Sequence, residues 1–241
     1  MAEETGQEKT EEPTAKRLQD AREKGDIPRS RELSATALLL AAAASALLFG
    51  SQVAGSMMDI MRESFSLDRR DLFDPARMFT HLGEALYEGF LSLWGFYLLT
   101  LLAALLSPIA LGGWNFSGQA IQPKGSRINP LSGIKRMFSL KALIELFKAL
   151  AKFLLVGSFA IMVLWLDQPD LIALAREAVE PAIAHSLQIL GWSFLVMSLS
   201  LIIISLIDVP FQLYDYNKKL KMTLQEVKDE MKNTEGKPEV K

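Results

Sequence analysis

The chain contains 241 residues, of which 50% are hydrophobic and 22% are charged, and its mean hydropathy is +0.19. Because it contains no Cys, a disulfide framework, a thiol nucleophile and a Cys-based metal site are excluded. The net charge of -2 conceals a strong segregation, since the apolar residues are concentrated in four stretches: 33–58, 89–123, 153–166 and 181–207.

These four stretches predict four membrane-spanning helices. A helix needs roughly 20 mostly apolar residues to cross a bilayer. The third stretch reaches that length if it begins near Ala149 and includes Lys152. More than thirty residues, most of them polar, precede the first stretch, so we interpret it as a span that stays in the mature protein and not as a secretory signal. The sequence therefore predicts an all-α integral membrane protein.

The segment 10–25 before the first span has the residues that start and stop a helix. Thr10 and two acidic residues precede Pro13, and Gly25 marks the end. Leu18 is nearly its only large apolar residue, so this helix can bury little surface by itself. We expect it to be ordered against a partner or not at all.

The first two spans differ in character. The first is rich in Ala and Ser, which let helices approach closely, either within this chain or on another subunit. The second reaches Pro108, which should kink or end it. The segment that follows is uncharged up to Lys124 and contains several Gly, Asn, Gln and Pro residues. Such irregular backbone is tolerated at membrane depth only where protein covers it or where it lines an aqueous cavity.

The stretch 129–155 predicts a basic amphipathic helix that runs into the third span. Lys141, Glu145, Lys148 and Lys152 follow at steps of four, three and four, which places them on one helix face. One interpretation is that the helix lies on lipid and its lysines snorkel to the headgroups. The other is that this loop binds further proteins.

The fourth span presents small residues at seven-residue steps on two nearly opposite faces, which predicts neighbours on both sides. One face holds Gly191, Ser198 and Ser205, and the other holds Ser186, Ser193 and Ser200.

A cytoplasmic amphipathic helix is predicted after the fourth span. Thr223 and Glu226 have capping-box spacing. An apolar stripe accompanies them, and three lysines at the membrane suit anionic lipid. The stripe is Leu220, Leu224, Val227 and Met231, and the lysines are Lys218, Lys219 and Lys221.

Basic residues predict the orientation. Seven Lys and Arg precede the first span, six lie between the second and third, and seven follow the fourth, against four and one in the other two loops. Because cytoplasmic loops carry this excess, both termini and the middle loop are expected in the cytoplasm, with 59–84 and 167–180 outside as short connectors.

We divide the chain into a cytoplasmic N-terminal arm (1–32), a four-helix membrane domain (33–207) that includes the cytoplasmic loop 112–148, and a cytoplasmic linker helix (208–241).

Several classes of function have no support in the sequence. The spans hold only Glu88 and Lys152 at their margins, whereas a transporter would be expected to place ionisable residues or broken helices within the membrane. No catalytic constellation, metal cluster, cofactor motif or nucleic-acid motif is present. Assembly with other proteins is left as the favoured function, and a self-contained four-helix channel or transporter with a lipid-binding amphipathic loop is the alternative.

Three stretches in order resemble the FlhB family of type III secretion export-apparatus switch proteins. They are "EKTEEPTAKRLQDAREKGDIPRSREL" at 8–33, "NPLSGIKRMFSLKALIELFKALAK" at 129–152 and "DVPFQLYDYNKKLKMTLQEVKDEMKNTEGKPEVK" at 208–241. The last stretch is more similar to flagellar members than to those of injectisomes.

The resemblance implies a subunit of the flagellar protein export gate in the bacterial inner membrane. It implies FliP, FliQ, FliR and FlhA as partners, and exported flagellar proteins as cargo. It also implies that the middle loop embraces the gate entrance and regulates it. The partner-interface residues would be Trp114, Phe116 and Gly118 in the Gly-rich half of the loop, and Asn129, Pro130, Leu131, Gly133, Lys135, Arg136 and Phe138 in the basic half.

The chain departs from the family at one functional motif. Family members cleave themselves within an Asn-Pro-Thr-His motif, whereas the Asn-Pro at 129–130 is followed here by Leu131 and Ser132. We therefore expect these residues to have no self-cleaving activity, and we interpret the sequence as the membrane part of a longer protein.

Overall fold

The protein is described here by a computed structural model that covers residues 9–66, 73–118 and 140–235. Within these ranges the chain is helical, with one isolated antiparallel bridge between Glu11 and Met222. The helices are α1 (Ala15–Glu23), α2 (Arg31–Phe65), α3 (Pro75–Ser92), α4 (Trp94–Leu106), α5 (Ile109–Gly112), α6 (Leu140–Ala173), α7 (Val179–Leu220) and α8 (Leu224–Glu235), with a 3-10 turn at Leu174–Arg176.

Four helical segments are long and apolar enough to cross a membrane, which confirms the predicted fold class. They are Arg31–Phe65, Trp94–Gly112, Ala142–Arg176 and Val179–Leu220. The second is shorter than predicted: residues 89–92 belong to α3, and the helix stops at Gly112 before Gly113, whose φ is +72°. The expected effect of Pro108 is confirmed, since α4 ends at Leu106.

Helices α2 and α7 form the main contact of the bundle. Ala43 and Ser45 of α2 are fully buried, and Ser198 of α7 is 2% exposed. A Cβ added to Gly191 would lie 2.7 Å from Leu47 Cδ2, so only glycine permits this approach without a shift of Leu47. The Ala- and Ser-rich first span therefore packs within this chain through part of its surface.

The second small face of α7 packs on α6. Ser193 Oγ donates a hydrogen bond to Asp167 Oδ2 of α6 at 2.5 Å, and Ser200 is fully buried. The prediction of neighbours on both sides of the fourth span is therefore confirmed within the described part of the chain.

The segment 59–84 is not a simple connector, contrary to the sequence interpretation. Helix α2 continues to Phe65, and α3 begins at Pro75 after the N-cap Asp74, whose side chain accepts from the Ala76 amide at 3.0 Å. Aspartate followed by proline is a strong helix start, and this signal was overlooked.

The two short helices predicted before the first span and after the fourth are present with adjusted limits. Helix α1 begins at Ala15 after the N-cap Thr14, not at Thr10. At α8 the capping box is confirmed, because the Thr223 amide donates to Glu226 at 3.1 Å and the Glu226 amide donates to Thr223 at 3.2 Å.

The apolar stripe predicted for the last helix is divided between two elements. Helix α7 runs past position 208, with Pro210 inside it, and ends at Leu220. Leu220 is buried at this end of α7, whereas Leu224 and Met231 of α8 are about half exposed. The predicted boundary between 207 and 208 therefore does not coincide with the end of a helix.

Candidate functional site

A cluster of charged residues lies at one end of the bundle. At this end α2 begins, the first turns of α6 lie beside it, and α7 ends. We call it the arm end, with "arm" for residues 9–30 and "linker" for residues 221–235.

Asp208 is the buried acid of the arm end. It is 8% exposed and accepts hydrogen bonds from Ser30 Oγ at 2.7 Å and Gln212 Nε2 at 3.2 Å, while Lys148 Nζ lies 4.0 Å away. Ser30 is also the N-cap of α2, where its Oγ accepts from the Leu33 amide at 3.0 Å. The Ser30 hydroxyl thus caps α2 and also connects the start of α2 to α7 by a hydrogen bond.

A second ion pair joins α2 to α6. Lys152 Nζ lies 2.5 Å from Glu32 Oε1, and both side chains are about two thirds buried. Lys148, one turn earlier, lies over the Phe211 ring at 4.4 Å from its centroid. Lipid snorkelling and partner binding were the two interpretations of this charged stripe, and the structure adds contacts of Lys148 and Lys152 with acids of their own chain. Their ammonium groups are held by acids of their own chain, because the carboxylates of Glu32 and Asp208 need a cation where the helices shield them from water.

A cavity of about 770 Å³ opens beside these ion pairs. Its apolar wall comes from α6 and α7, and its charged rim comes from the arm end of α2, α6 and α7. The lining residues are Arg29, Arg31, Glu32, Glu145, Lys148, Ala151, Lys152, Leu155, Ile203, Ile204, Ile207, Asp208, Phe211, Gln212, Asp215 and Lys219.

The arm is ordered against the linker and the end of α7. Glu11 and Met222 exchange two backbone hydrogen bonds of 3.0 and 3.1 Å, and Thr14 Oγ1 donates to Glu230 Oε2 at 2.6 Å. Met222 is only 3% exposed. Tyr216 of α7 donates to the Asp26 carbonyl at 3.3 Å. The partner that α1 was expected to need is therefore present in its own chain.

The start of the middle loop is fastened to the arm on one side. Asn115 Nδ2 donates to the Arg22 carbonyl at 2.7 Å, and Ser117 Oγ donates to the Glu23 carbonyl at 2.5 Å. These carbonyls belong to the last turn of α1. The last carbonyls of a helix lack amide donors within the helix, so donors from elsewhere can bind them.

The other side chains of this segment are exposed. Trp114, Phe116 and Gly118 alternate with the fastened residues, and the two aromatic side chains are 72% and 86% exposed. Their ring centroids lie 6.2 Å apart. The tethers of Asn115 and Ser117 hold this segment against the arm, and the side chains of Trp114 and Phe116 are exposed.

The first three predicted interface residues, Trp114, Phe116 and Gly118, are exposed, and the rings of Trp114 and Phe116 lie near each other. The other seven lie outside the described residues: Asn129, Pro130, Leu131, Gly133, Lys135, Arg136 and Phe138.

Sequence reasoning missed the Ser30–Asp208 and Glu32–Lys152 pairs. Because Asp208 follows the last apolar residue of the fourth span, the sequence predicts it in the segment 208–241 and not within a span. The sequence contains a Ser just before one span and an Asp just after another. It does not show which helices are neighbours, so it cannot pair these two residues.

The fold and this site define a class of protein: a helical membrane protein with four candidate spans, in which residues 9–30, residues 113–118 and residues 221–235 meet at one end of the bundle. The chain belongs to the FlhB HrpN YscU SpaS family, whose profile matches residues 7–241.

Its relatives include flagellar biosynthetic proteins and a Yop proteins translocation protein. The flagellar biosynthetic protein FlhB of Salmonella typhimurium (strain LT2) is 38% identical over 100% of this chain and 63% of its own length. FlhB of Bacillus subtilis is 30% identical over 97% of this chain and 65% of its own. The Yop proteins translocation protein U of Yersinia pestis is 33% identical over 97% and 66%. The chain thus spans less than two thirds of the length of these relatives.

Proposed function

We propose that this protein is a subunit of the flagellar type III protein export gate in the bacterial inner membrane, and that its middle loop embraces the gate entrance and regulates it. One observation carries the proposal: the family match extends over residues 7–241 and so includes the arm, the middle loop and the linker. The flagellar assignment is supported by the names of the Salmonella and Bacillus relatives. The partners would be FliP, FliQ, FliR and FlhA, with exported flagellar proteins as cargo.

The exposed side of the loop start supports a protein-binding role. Trp114 and Phe116 expose large aromatic surfaces while the neighbouring Asn115 and Ser117 hold the backbone in place. Aromatic side chains held on a fixed backbone are typical anchors of protein interfaces, because less conformational entropy is lost on binding. Gate subunits would cover this side in the assembled machine.

The first turns of α6 support the same role. Because Lys148 and Lys152 turn toward the chain's own acids, the apolar flanks of the helix face outward, and Leu143, Ile144 and Phe147 are each at least half exposed. Apolar flanks at this end of the helix fit packing on membrane subunits of the gate.

The channel or transporter alternative receives less support. A transporter would use a buried acid such as Asp208 to bind an ion or a proton. Both oxygens of Asp208 are already engaged, one by Ser30 and one by Gln212, and Lys148 lies nearby. This arrangement is that of a structural acid.

Co-purification and motility test the proposal. In the protein as the bacterium makes it, Trp114→Ala/Phe116→Ala should reduce both co-purification with FliP, FliQ and FliR and swimming motility. Val179→Ala, an equally exposed apolar position on α7, is the control and should leave both unchanged. Normal association and motility of the double variant, with normal membrane levels, would overturn the role assigned to the loop start.

A further inference from the structure

The cavity at the arm end combines an apolar wall with a charged rim. Leu155, Ile203 and Ile207 line it within the apolar stretches of the third and fourth spans, and Asp208 follows directly. Arg29 and Arg31 reach it from the start of α2, at the boundary where the first apolar stretch begins. A site of this size with an apolar wall and a few charges is typical of a small amphipathic ligand.

The charges of the rim are unevenly satisfied. Each of the four lining carboxylates lies within 4.0 Å of a lysine ammonium: Glu32 with Lys152, Glu145 and Asp208 with Lys148, and Asp215 with Lys219. Within the described ranges, Arg29 and Arg31 form no ion pair. Five cations and four acids line the cavity, which leaves one net positive charge, and the two arginines remain available to a ligand.

We propose that this cavity binds one anionic glycerophospholipid of the phosphatidylglycerol type. The guanidinium groups of Arg29 and Arg31 would hold the phosphodiester, since the planar guanidinium fork matches phosphate oxygens. An acyl chain would lie along Leu155, Ile203 and Ile207. Basic pockets between transmembrane helices on the cytoplasmic side are recognised sites for anionic headgroups.

The pairing of the acids explains why an anionic lipid fits better than a zwitterionic one. The ammonium of phosphatidylethanolamine would need a free carboxylate, but each lining carboxylate already lies within 4.0 Å of a lysine, with Glu145 and Asp208 sharing Lys148. The apolar wall in turn favours a lipid over free phosphate, because inorganic phosphate would leave it uncovered. The inference requires only that the helices lie in a membrane, so its failure would leave the proposed export role untouched.

Native mass spectrometry of the full chain in neutral detergent tests the proposal, with phosphatidylglycerol, phosphatidylethanolamine and inorganic phosphate as separate probes. We expect one tightly bound phosphatidylglycerol and weaker binding of the other two. Arg29→Gln/Arg31→Gln should weaken phosphatidylglycerol binding about tenfold, because two charge-assisted contacts are lost. The matched control Lys16→Gln/Lys24→Gln removes two exposed charges of the arm outside the lining and should leave binding unchanged.

A second variant tests the apolar wall without a change of charge. Ala151→Phe should fill the cavity beside the headgroup site and weaken phosphatidylglycerol binding while Arg29 and Arg31 remain. Helical circular dichroism and thermal unfolding verify that each variant is folded.

Several outcomes would overturn the assignment. They are equal binding of phosphatidylethanolamine, equal competition by inorganic phosphate, equal loss in the lysine control, or unchanged binding in the arginine variant. A photoreactive group at 151 that captures another protein and no lipid, in native membranes, would show that a protein segment fills the cavity instead.

Discussion

Single side chains at the arm end connect three helices that are far apart in sequence. Asp208 of α7 accepts from Ser30 at the start of α2, and Lys148 of α6 lies 4.0 Å from the same carboxylate. Glu32 and Lys152 add a second connection between α2 and α6. Removing one of these side chains leaves its buried hydrogen-bond partners unsatisfied. The resulting loss of folding free energy is larger than the net contribution of the hydrogen bond itself.

Asp208→Leu should therefore lower the free energy of unfolding by about 1–3 kcal/mol, because Ser30 and Gln212 lose their acceptor and Lys148 loses an anion. Reversible unfolding of the purified chain in detergent measures the effect. Asp170→Leu is the control, since Asp170 is an exposed acid of α6. Equal stability of the two variants would contradict the role assigned to Asp208.

Gly112 permits the closest approach between the arm and the start of the middle loop. A Cβ there would lie 2.7 Å from the Pro28 carbonyl oxygen and 3.1 Å from Ile27 Cβ, and neither can move without the backbone. Gly112→Val should push the arm away and increase the rate of trypsin cleavage at arm lysines and arginines. Gly157→Val, where nothing lies within 4 Å of the added Cβ, should leave the rate unchanged. Equal cleavage rates in the two variants would count against this contact.

At the scale of elements, the α2–α7 pair is built on small residues and a few hydrogen bonds. Thr36 and Ser205 share a hydrogen bond of 2.7 Å across the interface, and Ser198 lies in it almost fully buried. The hydrophobic effect does not drive helices together inside a bilayer. Close packing and hydrogen bonds between helices, each hydrogen bond contributing about 0.6–1.7 kcal/mol, stabilise the pair instead.

A bulky residue in this interface should separate the two helices. Ser198→Leu is expected to lower the thermal unfolding midpoint of the detergent-solubilised chain. The same side chain at an exposed position, Ala149→Leu on α6, should change it little. If both variants have the same thermal unfolding midpoint as the wild type, α2 and α7 do not pack as described.

The contact between arm and linker can be tested by cross-linking, because the chain has no natural Cys. Glu11 and Met222 form a hydrogen-bonded antiparallel pair, whose Cα separation of about 5.5 Å suits a disulfide. Glu11→Cys/Met222→Cys should form an intramolecular disulfide under mild oxidation, detected as a shift in non-reducing gels after proteolysis.

The control for this pair uses the far end of α2. Glu63 lies 33 residues along from Ser30, so α2 separates it from the arm end by about 50 Å. Glu63→Cys/Met222→Cys should not cross-link within one chain. Failure of the first pair to cross-link under conditions that oxidise an accessible control dithiol would contradict the ordered arm.

For the whole molecule, fold class could be predicted from sequence because it depends on composition: long apolar stretches must be helical in lipid. The capping box at Thr223 and the effect of Pro108 could be predicted because they are local. The contacts of Lys148 and Lys152 with acids of their own chain could not be predicted. The helical pattern shows which residues share a helix face, but it does not show which helix packs against that face.

The arm, linker and loop start form one connected unit at the arm end. The linker binds the arm through Met222 and Glu230, and the arm binds the loop through the carbonyls of Arg22 and Glu23. A displacement of the linker would therefore reach the loop through α1. This connection gives the proposed gate-regulating loop a physical link to the C-terminal segment.

Site-specific photo-crosslinking in the assembled secretion machine tests the central claim most directly. A photoreactive amino acid at Trp114 or Phe116 should capture export-gate subunits, whereas the same group at Asn115 or Ser117 should capture the arm of its own chain. Adducts from 114 and 116 with lipid alone, in a machine that still exports, would contradict the claim that this side of the loop is covered by the gate.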